Sequence, residues 1–119
     1  MAKTKEIKIA GKKVKIAYCY ATEIAFHDLT GKDFATFLRT SVEEQNASPK
    51  EIMCSILAGI MAYYQSAEKE SPITDKDLMF NASNEEITEA FKEIVVLFTE
   101  WYRLPTDEEP KEKGSKGKN

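Results

Sequence analysis

The sequence predicts an α+β domain, a mostly helical body of four or five helices carrying an N-terminal two-stranded β-hairpin. Three observations predict it. Apolar and polar residues alternate through 5–20, as a half-buried strand pair requires. Apolar spacing then changes to the three-and-four period of helices through 21–103. Finally, Ser48-Pro49-Lys50-Glu51, Thr74-Asp75-Lys76-Asp77 and Ser83-Asn84-Glu85-Glu86 each read as a helix start. The length of 119 residues suits one domain, placed at 1–104, and 42% hydrophobic residues supply one modest core.

In the hairpin, Ile7 and Ile9 alternate with Lys8, and Val14, Ile16 and Tyr18 alternate with Lys13, Lys15 and Ala17. Gly11, in the intervening Ala10-Gly11-Lys12, can take the positive φ of a tight turn. Two strands alone are marginal in water, so their apolar face must meet helices or another subunit. The first helix, 21–29, offers Ile24, Phe26 and Leu29, with Gly31 as its left-handed stop. Asp33 caps a second helix whose apolar side is Phe34, Phe37, Leu38 and Val42.

Ser48, with Pro49 at the first helical position and Glu51 closing a capping box, starts the most buried helix, running to about Glu68. Ile52, Met53, Ile56, Leu57, Ile60, Met61 and Tyr64 form its large apolar ridges. Ala58, Gly59 and Ala62 on the other side let a neighbouring helix approach closely. A short helix through Leu78, Met79 and Phe80 follows. The last helix, to about Arg103, carries Ile87, Phe91, Ile94, Val95, Phe98 and Tyr102 on one stripe. Val96, Leu97 and Trp101 widen that stripe, either as a broad core face or as a surface for a partner. Residues 105–119 hold Pro105, Pro110, Gly114 and Gly117 and no large apolar group, and read as a disordered polar tail.

Composition excludes more than it assigns. No run approaches the ~18 apolar residues of a membrane span, and no apolar stretch follows the basic N-terminus as in a secretory signal. The net charge of −3 is uneven. Six lysines stand against Glu6 in residues 1–16, and fifteen acids against seven bases in 17–104. An acidic body disfavours nucleic acid, and the basic strip reads first as the solvent face of a strand. Cys19 and Cys54 lack metal or redox spacing and read as buried thiols of a reducing compartment. The single histidine, His27, adjoins Asp28, but neighbours on a helix diverge by about 100° and make a poor dyad. Glu43-Glu44 and Glu85-Glu86 are solvated pairs, the second favoured by a helix N-terminus. No phosphate loop, dinucleotide fingerprint or calcium loop is present. The expectation is a protein that binds and does not catalyse, with no cofactor, metal or catalytic residue.

Ile7-Lys8-Ile9-Ala10-Gly11-Lys12-Lys13, then Tyr20-Ala21-Thr22-Glu23-Ile24-Ala25-Phe26-His27-Asp28-Leu29-Thr30-Gly31-Lys32-Asp33, carry a resemblance. With the long, short and long helices from Ser48, Thr74 and Ser83, their order is similar to that in tail assembly chaperones of long-tailed bacteriophages and prophages. The resemblance spans about residues 5–103, in its later part by pattern only. Tyr18-Cys19-Tyr20 is more aromatic than that pattern expects.

The resemblance implies a non-enzymatic protein of the host cytoplasm, absent from the mature virion. Its partner would be the tape-measure protein, kept soluble until tail tube subunits polymerise around it, with the tail tube protein as a second candidate. Many such genes also encode a longer, frameshifted product, and the lysines from Lys111 to Lys118 are compatible with an A-rich slippery message. Met53, Leu57, Met61, Tyr64, Leu97 and Trp101 are the candidate partner-binding residues, because methionines adapt to varied partners and aromatics anchor interfaces. Ordinary core is the competing reading of each. Self-association through the hairpin edge or the last helix is a further expectation. The alternatives are a helical adaptor or regulator with another client, and a small DNA-associated protein using the basic hairpin.

Overall fold

A computed structural model describes residues 2–103. The expected polar tail lies outside the described residues. Strands β1 (Lys3–Ile9) and β2 (Lys12–Tyr18) form an antiparallel hairpin, followed by α1 (Tyr20–Thr30), α2 (Phe34–Glu43), α3 (Pro49–Ala67), α4 (Asp75–Asn81) and α5 (Asn84–Tyr102). The α+β, mostly helical architecture with five helices is therefore the observed one.

Ile9 pairs with Lys12 across a two-residue loop in which Ala10 and Gly11 both have positive φ, 53° and 75°. A loop of that kind matches the right-handed twist of the strands. The left-handed conformation costs an alanine free energy that a glycine is spared. Here it turns the Ala10 and Gly11 N–H groups toward one anion, as successive amides do in an anion-binding nest. That anion is Glu86, in the first turn of α5. Ala10 N–H donates to its Oε1 at 3.0 Å and Gly11 N–H to its Oε2 at 3.2 Å. Ser83, whose hydroxyl caps α5, donates its N–H to the same Oε1 at 3.0 Å. The Ser83 amide, then those of Gly11 and Ala10, hold the Glu86 carboxyl below the usual carboxylate range, against some opposing desolvation.

Ile7, Ile9, Val14, Ile16 and Tyr18 are all buried on one face of the hairpin, and every lysine of the strip is exposed. α3 packs against β2, α1 and α5, while α5 lies along β1. Gly59 is the point of closest approach. A methyl group there would stand 2.8 Å from Ile94 Cδ1, 3.3 Å from Ile16 Cβ and 3.5 Å from the Ala17 carbonyl. The small-residue side of α3 thus receives a strand as well as the helix the sequence suggested. Most of the broad stripe of α5 is covered: Leu97 and Ile94 are buried, Phe98 stacks on Phe34 and Phe91 meets Phe37, while Val96 and Tyr102 are exposed.

Several expectations change, and Asp33 makes no side-chain cap to α2. Ile24 is exposed, because it stands about 200° around the helix from Phe26 and cannot share its inward face. Val42, in the last turn of α2, is exposed as well. Ser48 does cap α3, accepting from Glu51 N–H at 3.1 Å, but the Glu51 carboxylate pairs with Lys32 and makes no capping box. The boxes at Thr74 and Ser83 form as read. The two thiols are free and half-buried, so neither is a fully enclosed core group.

Glu86→Ala should lower the unfolding free energy by about 1–3 kcal/mol, the range for bonds to a charged acceptor. Urea denaturation measures it, and amide exchange should accelerate first at Ala10 and Gly11. Because the folded carboxyl is more acidic than the unfolded one, this stabilisation holds above the unfolded pKa and fades as pH falls through the folded value. Gly59→Ala should destabilise by about 1–2 kcal/mol, crowding outweighing the helix propensity that alanine gains.

Candidate functional site

One solvent-open apolar site lies where α4 crosses the start of α3 and of α5. The Thr74 capping box and the buried Leu78 fix α4 to the body. Its remaining apolar residues then face outward: Met79 is 52% exposed and Phe80 78%. Ile52, Met53, Leu78, Met79, Ala82 and Ile87 line a cleft of about 270 Å³. A second depression, of about 310 Å³, runs between α2 and α5 past Leu38, Val42, Val95 and Phe98.

The six candidate residues do not line one groove. Met53 lines the α3–α4–α5 cleft. Leu57 is half-buried and packs on the core, and Met61 is half-buried. Tyr64 faces the hairpin, where its hydroxyl accepts from Lys15 N–H at 3.1 Å, and its ring meets Tyr63 edge-on. Leu97 is 3% exposed and belongs to the core. Trp101 packs its ring against Tyr20 and Tyr18 at the strand–helix junction. Sequence reasoning missed Met79, Phe80 and Ile87 as a surface. Their apolarity was legible, but which side of a seven-residue helix meets the body was not.

Comparison with family models, with curated proteins and with solved structures finds no match.

His27 and Asp28 are both exposed. Burial pushes the Cys54 thiol up, away from the reactive thiolate. Among the described residues no three His, Cys, Asp or Glu side chains are placed to hold a metal ion. No helix among them is long and apolar enough to cross a membrane.

Glu23 is an acceptor shared by two tyrosines. Its Oε2 accepts from the Tyr18 hydroxyl at 2.7 Å and from the Tyr102 hydroxyl. Tyr18 is fully buried beneath Phe34 and Phe98, so its phenol is raised far above the ordinary range, by burial first and by Glu23 second. The hydrogen bond to Glu23, then burial, pushes Tyr102 up to about 12. This cluster ties β2, α1 and the end of α5 together.

Both phenols keep their protons in the folded chain at pH values where an unfolded tyrosine, near pH 10, has lost its own. Their contribution is complete below about pH 10 and is lost as pH rises through the folded values. Unfolding free energy should therefore fall above about pH 10 in urea titrations at stepped pH. Tyr18→Phe should make that fall shallower and cost about 1–2 kcal/mol at neutral pH through the missing donor to Glu23.

Proposed function

We propose that this chain is a phage or prophage tail assembly chaperone that binds the tape-measure protein non-covalently and keeps it soluble while the tail tube assembles. It acts in the host cytoplasm, without catalysis, and is absent from the finished virion. The resemblance of the N-terminal hairpin and first helix to that family motivates the reading. The observation that carries it is the open apolar cleft of Ile52, Met53, Met79 and Ile87, with Phe80 exposed on the same short helix.

A client helix laid in the cleft would insert apolar residues at helical spacing between α3 and α4. Two methionines at the mouth suit a client with many segments, because the thioether side chain re-packs around different shapes. Exposing Phe80 and Met79 to water is unfavourable for the free protein, and covering them favours complex formation.

Co-expression with a tape-measure protein of a long-tailed phage, followed by pull-down and sizing, tests the proposal. A soluble complex is expected. Met53→Glu or Met79→Glu should reduce the co-purified partner at least about tenfold, a loss of about 1.4 kcal/mol or more in binding. Leu97→Ala, inside the core, should instead lower stability by about 2–5 kcal/mol. A partner that stays insoluble, or that binds both cleft variants as the parent, would defeat the proposal. A complex with a different client through the same cleft would make the chain an adaptor.

A further inference from the structure

The two edges of the hairpin are treated differently. The narrow pair Ile9↔Lys12 sets the alternation, so Lys13, Lys15 and Ala17 direct their N–H and C=O groups away from β1, and Thr4, Glu6 and Lys8 direct theirs away from β2. The β2 edge is partly covered, at two of its outward backbone groups. Tyr64 of α3 accepts from Lys15 N–H at 3.1 Å, and the Thr22 hydroxyl donates to the Ala17 carbonyl at 2.7 Å. Among the described residues no group hydrogen-bonds the outward backbone of Thr4, Glu6 or Lys8. That edge opens onto a groove of about 340 Å³ between β1 and α5.

The groove has an apolar floor and an acidic wall. Ile7 and Ala90, both buried, form the floor, and Glu85, Glu89 and Glu93 stand along α5. Glu86 is held by the hairpin turn. Lys92 reaches Glu89 at 3.4 Å and Lys5 reaches Glu93 at 4.0 Å, both through exposed lysines that hold such partners weakly. Glu85 has no ion-pair partner among the described residues. Residues four apart on a helix rise about 6 Å along its axis. Alternate residues of a strand advance about 6.7 Å. The carboxylates are therefore spaced for every second side chain of a strand added beside β1.

We propose that the β1 edge is a docking site for an extended segment of a partner protein carrying Lys or Arg at alternate positions. The segment adds a third strand through the outward amides and carbonyls of Thr4, Glu6 and Lys8. Its basic side chains lay their aliphatic stems over Ile7 and Ala90 and place their charges at Glu85, Glu89 and Glu93. A second copy of the chain offers Lys3 and Lys5 at alternate positions of its own β1, but it also brings a second acidic row. Two-fold pairing of β1 with itself keeps both α5 helices on one side of the joined sheet and brings their carboxylate rows together. The docking site is separate from the apolar cleft and does not depend on the chaperone reading.

The test uses the full chain and a labelled heptapeptide alternating arginine and valine. Fluorescence anisotropy should show saturable binding that weakens with salt. Amide spectra of the complex should show exchange protection gained at Thr4, Glu6 and Lys8 and unchanged at Lys5 and Ile7. The same peptide N-methylated at alternate amides keeps its charge and loses its donors, and should bind at least tenfold more weakly. Replacing Glu85, Glu89 and Glu93 together by Gln should also weaken binding at least tenfold. Equal binding of the methylated peptide would reduce the effect to general attraction between opposite charges and overturn the proposal. Edge amides already protected in the free chain, whether by a second copy or by another part of the chain, would overturn it as well.

Discussion

A two-stranded sheet has one apolar face and cannot hide it alone. The rest of this fold is arranged around that constraint. Five buried side chains, from Ile7 to Tyr18, make the hairpin face, and two long helices cover it. Gly59 lets α3 approach closely enough to touch the strand and Ile94 together. The turn is then fastened from the far end of the chain, since Glu86 follows Ala10 by 76 residues. Tyr18 fastens the opposite end through Glu23, which also receives Tyr102. The hairpin is thus held at its turn, along its face and at its open end. Each fastening is a polar or close-packed contact, superimposed on non-directional apolar burial.

These fastenings separate what the sequence shows from what it does not. Capping chemistry is local, so Thr74 with Asp77 and Ser83 with Glu86 were legible within four residues. The hairpin was legible from a period of two and one glycine, but not its register, which pairs Lys12 with Ile9. Glu86 was legible as a capping residue and illegible as the acceptor of the turn, because nothing local to it specifies a contact 76 residues away. Ile24 shows a different limit. Its apolarity suggested burial, and only its angle from Phe26 places it in solvent. Glu51 shows a third: a carboxylate with two available partners took Lys32, brought near by the α1–α2 junction.

The candidate partner-binding residues divide along the same line. Leu97 and Tyr64 were chosen for residue type, and tertiary packing uses them inside the molecule, one in the core and one on the β2 edge. Met53 alone of the six reaches the open apolar cleft, because it stands in the first turns of α3, which line that cleft with α4. Residue type says what a side chain could anchor. Its availability depends on which neighbours the fold supplies, and that information is non-local.

The same reasoning explains why the two edges of one hairpin serve different ends. An unpaired strand edge invites pairing with any extended chain, and charged side chains along it are the usual protection. On β1, Glu6 and Lys8 supply such charges, while on β2 a tyrosine and a threonine occupy two of the outward backbone groups directly. Charges exclude strands indiscriminately only when the surroundings are neutral. Beside β1 the surroundings are a row of glutamates over an apolar floor. A strand that brings its own acid row is repelled, and one with alternate basic residues is drawn in. The acidic wall therefore converts a general liability of two-stranded sheets into selectivity by charge, and it does so with residues whose helical spacing is independent of how the hairpin folds.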